Sequence, residues 1–226
     1  MSNKEQADIF FSHLGSVEDK IAYGDKQFYM SLLWQHENKT ARDLSSSQIY
    51  HLERLYNKYS AQELRTRAEF EKNYGDIERK IAQRCAHYYA NQYPPYYDGI
   101  VNKVINDPDN HTLSHNEYNK MCNNKYAKKI LACYDEVPKY SAGEFVQIRA
   151  TNRIDVANTN RKEGYMPRRS SCASVANKVC IVLEVDSLPI TRAAKGARIY
   201  KVLITDETRP IYAHESDLKK ARSPKK

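Results

Sequence analysis

Several features that catalytic sites commonly use are scarce or missing in this sequence. Only seven of the 226 residues are glycine, which leaves few places where the main chain could cradle a phosphate group. The P-loop, the G-x-G-x-x-G turn, the H-E-x-x-H zinc motif and the G-x-S-x-G elbow are all absent. We therefore expect a protein that is not an enzyme and that uses no cofactor and no metal ion.

Cysteine pairs and long apolar runs are also missing. The chain has five cysteines but no C-x-x-C pair, which argues against a disulfide framework and against a zinc ribbon. The longest strongly apolar stretch covers residues 179–185, far fewer than the roughly 20 residues that span a bilayer. Residues 1–11 lack the basic start and the apolar stretch of a secretory signal. These absences predict reduced thiols, no membrane association and a cytoplasmic location.

Positive charge is distributed unevenly along the chain. Residues 1–137 contain 18 Lys and Arg against 19 Asp and Glu, a net charge of −1. Residues 138–226 contain 18 Lys and Arg against 9 Asp and Glu, a net charge of +9. A basic segment of this kind most often contacts nucleic acid.

Helix-start signals followed by periodic apolar residues predict a mainly helical first part. Capping-box spacing, a serine three positions before a Glu or Gln, precedes periodic apolar residues at Ser45–Gln48, Ser60–Glu63 and Ser114–Glu117. One helix is expected over residues 27–36. A long helical segment is expected over residues 61–92, weakened in its middle by Gly75 and ended by Pro94.

After Pro138 the sequence changes to short stretches rich in β-branched and aromatic residues. They cover residues 143–150, 178–186, 197–205 and 210–214. Several short strands in so few residues predict a small barrel, because closure hides the strand edges. The predicted fold class is therefore α+β. Its parts are a tyrosine-rich helical domain over 1–137, a basic barrel over 138–222 with a long first loop over 151–178, and a basic tail over 223–226.

The strand region also carries a short pattern of glycine and turn residues. A strand opens after Gly143, and the stretch 210–213 runs into Glu215-Ser216-Asp217-Leu218. In these features residues 140–220 resemble bacterial and viral SH3-like barrels, in which the last strand follows a 3₁₀ turn that ends in Asp-Leu. The resemblance implies a fold and not a function.

A second pattern lies within residues 28–55. Its members are Phe28, Ser31, Leu32 and Gln35, then Leu44, Ser45, Gln48, Leu52 and Leu55. Their order resembles a small helical pair in phage-encoded proteins, which reads F-x-x-S-L-x-x-Q, a loop, then L-S-x-x-Q-x-x-x-L. The resemblance implies a phage origin and a location in the host cytoplasm.

Five tyrosines crowd into residues 88–97. They could stack on nucleic-acid bases, supply a P-P-x-Y ligand for WW domains, or pack within the helical domain. Residues 86–100 contain no Lys or Arg, and 14 of the 18 tyrosines lie in the near-neutral first part. We therefore favour packing for the stretch, and we predict protein contact at Tyr96, Tyr97 and the single tryptophan, Trp34.

The long segment over residues 151–178 is the strongest candidate for nucleic-acid contact, the alternative being a solvated loop that binds nothing. Its cations surround an aromatic ring, which suits a phosphate backbone with exposed bases. The predicted binding residues are Arg153, Arg161, Lys162, Tyr165, Arg168, Arg169 and Lys178 in the segment, followed by Arg192, Lys195, Arg198, Lys219 and Lys220.

Residues 107–120 resemble a metal site only superficially. A calcium loop would need glycine at Thr112 and would place Glu117 one position later. In a nuclease core, Lys120 would stand one position closer to Glu117. We interpret this stretch as a turn followed by the helix start at Ser114.

These features predict a non-enzymatic, phage-encoded accessory protein that binds DNA or RNA through its basic loop and tail. Affinity should then fall steeply with salt, because neutralised phosphates release counterions. The alternative is a protein-interaction module that uses the barrel and the helical domain. Its partner would be a host complex, which it inhibits or recruits, or other components of a virion.

Overall fold

The structure is a computed structural model. It describes residues 2–38, 43–92, 94–150, 154–155, 157–158, 169–170 and 175–221. The three short pieces between 154 and 170 are described as main chain only. The chain divides into two compact units, Met1–Asn73 and Tyr74–Lys226, called here the N-terminal and the C-terminal unit.

The N-terminal unit is helical. Its helices are α1 (Asn3–Ser16), α2 (Tyr23–Glu37), α3 (Ser46–Lys58) and α4 (Ala61–Asn73). Capping boxes at Ser2 and Ser45 start α1 and α3, because each serine oxygen accepts from a main-chain N–H that the helix itself cannot pair. The buried side chains of Leu14, Leu52 and Tyr59 belong to one core cluster.

The long helical segment predicted over residues 61–92 is interrupted. Helix α4 ends at Asn73, and the next helix begins at Asp76. Glu78 accepts from the main-chain N–H of Gly75 at 3.0 Å, so a new helix start forms at this glycine. The two compact units meet in sequence at this break, whereas the type of secondary structure changes after Pro138.

Four helices open the C-terminal unit: α5 (Asp76–Ala90), α6 (Asp98–Asn106), α7 (His115–Cys122) and α8 (Lys125–Asp135). The expected capping box of Ser114 and Glu117 starts α7. Asn124 caps α8, since its side-chain oxygen accepts from the main-chain N–H groups of Tyr126 and Ala127.

The strands follow the helices. They are β1 (Phe145–Ile148), β2 (Ile154–Asp155), β3 (Ala157–Asn158), β4 (Arg169–Ser170), β5 (Val179–Val185), β6 (Ile199–Ile204), β7 (Ile211–His214) and β8 (Leu218–Lys220). Six of them form an antiparallel sheet in the order β3-β7-β6-β5-β1-β8, and β2 pairs with β4 separately. Val146, Val182 and Val202 point from three neighbouring strands into a buried cluster.

The α+β class with its helices first is therefore confirmed. A 3₁₀ turn at Glu215–Asp217 precedes the last strand. Within the residues that the structure covers, the sheet has two free ends, β3 and β8, which do not pair with each other. The sheet is therefore open, and the predicted closure into a barrel is not observed.

Four of the five cysteines lie in the described part of the chain. These four are buried and free, and Cys172 lies outside the described residues. Across those same residues, three or more His, Cys, Asp or Glu side chains never gather closely enough to hold a metal ion. Nor is any helix there long and apolar enough to cross a membrane.

Candidate functional site

A pocket lined by tyrosines lies in the C-terminal unit. Its volume is about 310 Å³, near the lower end of the roughly 300–1,000 Å³ typical of small-molecule sites. The end of α5, the turn before α6 and the start of α8 all contribute to its wall. The lining residues are Tyr88, Tyr89, Gln92, Tyr96, Tyr97 and Tyr126, and we call this the tyrosine pocket.

The inner part of the pocket consists of aromatic rings packed against one another. The ring centroids of Tyr88 and Tyr89, and of Tyr89 and Tyr97, are 4.9 Å apart in edge-to-face arrangements. The Tyr89 hydroxyl donates to Oδ1 of Asn124 at 2.8 Å. Burial raises the pKa of Tyr89 to about 12, so this phenol stays protonated and uncharged at neutral pH.

The outer part of the pocket is open to solvent. Tyr96 is 54% exposed, Tyr126 46% and Tyr97 38%. Tyr88 and Tyr89 therefore pack within the unit, whereas the rings of Tyr96, Tyr97 and Tyr126 remain accessible to a ligand.

The main chain of Tyr97 is held in an unusual conformation. Its φ of 60° lies in the left-handed region, which a bulky side chain rarely adopts. The carbonyl oxygen of Tyr97 accepts from the N–H groups of Ile100 and Val101 at 2.8 and 2.9 Å. These bonds start α6 and hold the ring of Tyr97 against Tyr89.

One cation lies beside the pocket at the start of α8. None of the described lining residues carries a formal charge, and residues 86–100 contain no Lys or Arg. However, Nζ of Lys125 lies 5.0 Å from the ring centroid of Tyr126. Lys128 and Lys129 are exposed on the same helix. Lys125 thus places one cation beside Tyr126, and the exposed carboxylate of Asp98 follows Tyr97 directly.

A second basic segment adjoins the pocket through Gln92. The side-chain Nε2 of Gln92 donates to the main-chain oxygen of Tyr88 at 3.0 Å and to that of Thr191 at 3.1 Å. Thr191 immediately precedes Arg192, and Lys195 is exposed farther along the same loop. Two cations predicted from sequence therefore lie on a loop that is bonded to the pocket wall.

Hydrogen bonds fix the shape of this loop. The N–H of Ile190 donates to the hydroxyl of Tyr134 at 2.9 Å, and Arg192 Nη2 donates to the Ser216 hydroxyl at 2.5 Å. Gly196 has a φ of +69°, and a Cβ there would lie 3.0 Å from the Ser216 nitrogen. Only glycine fits this position without strain.

Arg198 does not lie on the binding surface where the sequence predicts it. It is only 4% exposed, and its guanidinium pairs with Asp186. Its Nη2 also donates to the carbonyl oxygens of Cys133 at 2.8 Å and Glu136 at 2.5 Å. Because these bonds occupy the end of α8, Arg198 is a buried cap and not a surface cation.

The other predicted residues are distributed as follows. Lys178 pairs with Glu207 at 2.8 Å, and this hydrogen bond raises the pKa of Lys178. Lys219 is half-buried and Lys220 exposed on β8. Trp34, in the N-terminal unit, is 66% exposed. Only the main chain of Arg169 is described, and the remaining loop positions lie outside the described residues: Arg153, Arg161, Lys162, Tyr165 and Arg168.

The chain matches no protein-family model, no curated protein and no solved structure. A functional assignment therefore depends on the chemistry of the site itself. Three residues of that site, Gln92, Lys125 and Tyr126, were missed from sequence. Lys125 and Tyr126 are adjacent at a helix start, and a Lys-Tyr pair of this kind is a local signal of a binding residue. Nothing near them in sequence connects them to the tyrosine stretch.

Proposed function

We propose that this protein binds single-stranded nucleic acid without catalysis, and that an unpaired base occupies the tyrosine pocket. The observation that carries the proposal is the combination of exposed tyrosine rings with Lys125 beside Tyr126. Proteins that bind single strands combine stacking rings with cations that follow the backbone. Each stacked base contributes about 1–3 kcal/mol.

The pocket favours an unpaired base over a duplex. A base inside a duplex reaches a pocket only after it has been unstacked and unpaired, which costs a few kcal/mol. A base in a single strand enters without that cost. Phosphates on either side of the seated base would then meet cations of α8 and of the loop that carries Arg192 and Lys195.

The rest of the basic C-terminal part adds affinity in this proposal. Its net charge of +9 over residues 138–226 attracts the nucleic-acid backbone regardless of sequence.

We also propose that the strand region is an SH3-like barrel. The neighbouring strands β7-β6-β5-β1-β8 and the 3₁₀ turn before β8 support this. The sequence resemblance of residues 28–55 supports a phage origin, and with it a place in the host cytoplasm.

Fluorescence anisotropy with labelled oligonucleotides tests the proposal. Single-stranded DNA, duplex DNA and single-stranded RNA are compared at about 50 and 200 mM salt. We expect single strands to bind more tightly than duplex, with affinity falling at the higher salt. A variant with Arg161, Lys162, Arg168 and Arg169 changed to Glu separates the loop's contribution from that of the pocket. Absence of binding to every oligonucleotide at low salt would overturn the proposal.

A second candidate is a protein partner, favoured by one surface of the N-terminal unit. Tyr23, Met30 and Trp34 are exposed along one side of α2. Exposed apolar side chains grouped in this way often mark a protein-binding site. Trp34 is the only tryptophan, so its fluorescence reports this surface. A partner seated there would shift the emission to shorter wavelength, and Trp34→Ala would lose the partner.

A further inference from the structure

We infer that the solvent-facing side of the six-stranded sheet binds a second copy of this chain about a twofold axis. The surface shares no residue with the tyrosine pocket. The inference therefore stands apart from the proposed function, and it names both an interaction surface and the partner that fits it.

The solvent-facing side of the sheet is apolar in its middle. Successive side chains of a strand point to opposite faces, and Val146, Val182 and Val202 belong to the buried cluster on the inner face. The apolar side chains that accompany them on the outer face of β1, β5 and β6 are Phe145, Val179, Ile181, Leu183 and Leu203. Phe145 is 54% exposed, Leu183 42% and Val179 36%. Exposed apolar side chains that adjoin one another in this way mark an interaction site.

The strand register arranges part of this face as a row. Phe145 lies opposite Ile181, and Ile181 lies opposite Leu203. The row thus crosses three neighbouring strands, with Ile181 and Leu203 half-buried at its centre. A row of this kind is a continuous apolar surface and not a set of isolated side chains.

Two opposite charges accompany the row on the same two strands. Glu184 of β5 lies opposite Lys201 of β6, and the next pair along, Val185 and Tyr200, includes a fully buried ring. Glu184 and Lys201 therefore point outward, on the same side as Ile181 and Leu203. Among the residues that the structure describes, neither of the two charged groups forms an ion pair. Both are thus available to a partner.

One twofold axis satisfies the apolar and the charged positions together. An axis that runs along the strands, midway between β5 and β6 and above the face, exchanges these two strands between the copies. It places Ile181 against the partner's Leu203 and Glu184 against the partner's Lys201. Each contact then occurs twice, as a self-complementary dimer interface requires. Two sheets packed face to face in this way lie about 10 Å apart.

The composition of the face favours a second copy over nucleic acid. Four of its five apolar side chains are aliphatic and offer no ring on which a base could stack. Glu184 would repel a phosphate backbone. A face with adjacent charges of both signs is complementary to itself, whereas a partner with charge of one sign would meet repulsion at one of the two positions.

Sedimentation velocity of the full chain, purified free of nucleic acid, tests the inference at about 150 mM salt. The protein is studied over about a hundredfold range of concentration, because dimer formation follows mass action. We expect the wild type to shift from monomer to dimer as concentration rises. Lys201→Glu and Glu184→Lys each bring like charges together twice, so we expect either change to raise the dissociation constant at least about tenfold.

A mixture of the two charge-reversed proteins separates a lost contact from a damaged fold. In the mixed pair every glutamate at these positions meets a lysine, so an equimolar mixture should form dimers again. Lys195→Glu, on an exposed loop outside the sheet, is the matched control and should dimerise like wild type. Circular dichroism checks that each variant is folded.

A wild-type protein that stays monomeric over the whole range would overturn the inference, whether or not the variants fold. Charge-reversed variants that dimerise like wild type would overturn it as well, as would a mixture that stays monomeric. None of these outcomes bears on the proposed function, because that function is tested separately with oligonucleotides.

Discussion

The guanidinium of Arg198 donates to the carbonyl oxygen of Cys133, with Nη2 and the oxygen 2.8 Å apart. The same nitrogen donates to the main-chain oxygen of Glu136, and Nη1 forms an ion pair with the carboxylate of Asp186. One buried side chain, just before β6, therefore satisfies the open end of α8. The opposite end of α8 carries Tyr126, so this contact helps to fix a wall of the tyrosine pocket.

The first prediction concerns stability. Arg198→Met removes the cap and leaves buried carbonyl oxygens unpaired, so we expect the free energy of unfolding to fall by about 2–4 kcal/mol. Urea denaturation followed by circular dichroism measures this. Lys195→Met, at an exposed position of the same loop, is the matched control and should change stability by no more than about 0.5 kcal/mol. Equal stabilities of the two variants would contradict the role assigned to Arg198.

The second prediction concerns the exposed rings. Tyr126→Ala removes a stacking surface and should weaken binding of a single strand by about 1–3 kcal/mol, whereas Tyr126→Phe should bind nearly as well as wild type. Tyr50→Ala, at another exposed tyrosine but in the N-terminal unit, is the control and should leave affinity unchanged. If Tyr126→Ala bound like wild type, the ring would not stack on a base.

The third prediction concerns salt. A cation that contacts phosphate contributes to the slope of log affinity against log salt, by about 0.7 per contact for single strands. We expect Lys125→Gln to reduce the slope by about that amount, and Lys125→Gln combined with Arg192→Gln by about twice as much. Lys72→Gln, an exposed cation of α4, should leave the slope unchanged. Equal slopes for all variants would remove these cations from the interface.

The fourth prediction concerns pH. Burial lowers the pKa of His87 in α5, because the charged imidazolium is disfavoured away from water. The unfolded chain therefore takes up this proton first, at about pH 6.5. Neutral His87 therefore makes its full contribution to the free energy of unfolding above that pH. The contribution is lost as the pH falls through the lower pKa of the folded state.

The measurement for His87 is a difference between two proteins. Unfolding free energies of wild type and His87→Gln are determined from about pH 8 to pH 5, so that the other histidines cancel. We expect the advantage of wild type over the variant to shrink as the pH falls. A difference that stays constant with pH would mean that His87 titrates alike in the folded and unfolded chain.

Local features of the sequence predict local structure well. The capping boxes at Ser45 and Ser114 correctly start two helices, since the signal and its effect lie within four residues. The stretches at 178–186 and 197–205 correctly predict β5 and β6. Helix α1 was not anticipated, although Ser2 and Glu5 have the same spacing.

The site could be predicted only in part, because its members are distant in sequence. The aromatic stretch drew attention to Tyr96 and Tyr97, but the packing of α8 brings Tyr126 and Lys125 to the same pocket. The sequence places Arg198 among the surface cations, because composition does not report burial. Its neighbours Ala197 and Ile199 are both apolar and fully buried, and two apolar neighbours of this kind are the local signal for a buried position.

Photocrosslinking tests most directly whether a base occupies the tyrosine pocket. A single strand with one 5-iodocytosine is irradiated with the full-length protein, and mass spectrometry identifies the attached residue. We predict attachment to Tyr96, Tyr97 or Tyr126, and loss of it when unlabelled single strand competes. Attachment confined to residues 151–178, with none in the pocket, would contradict the account.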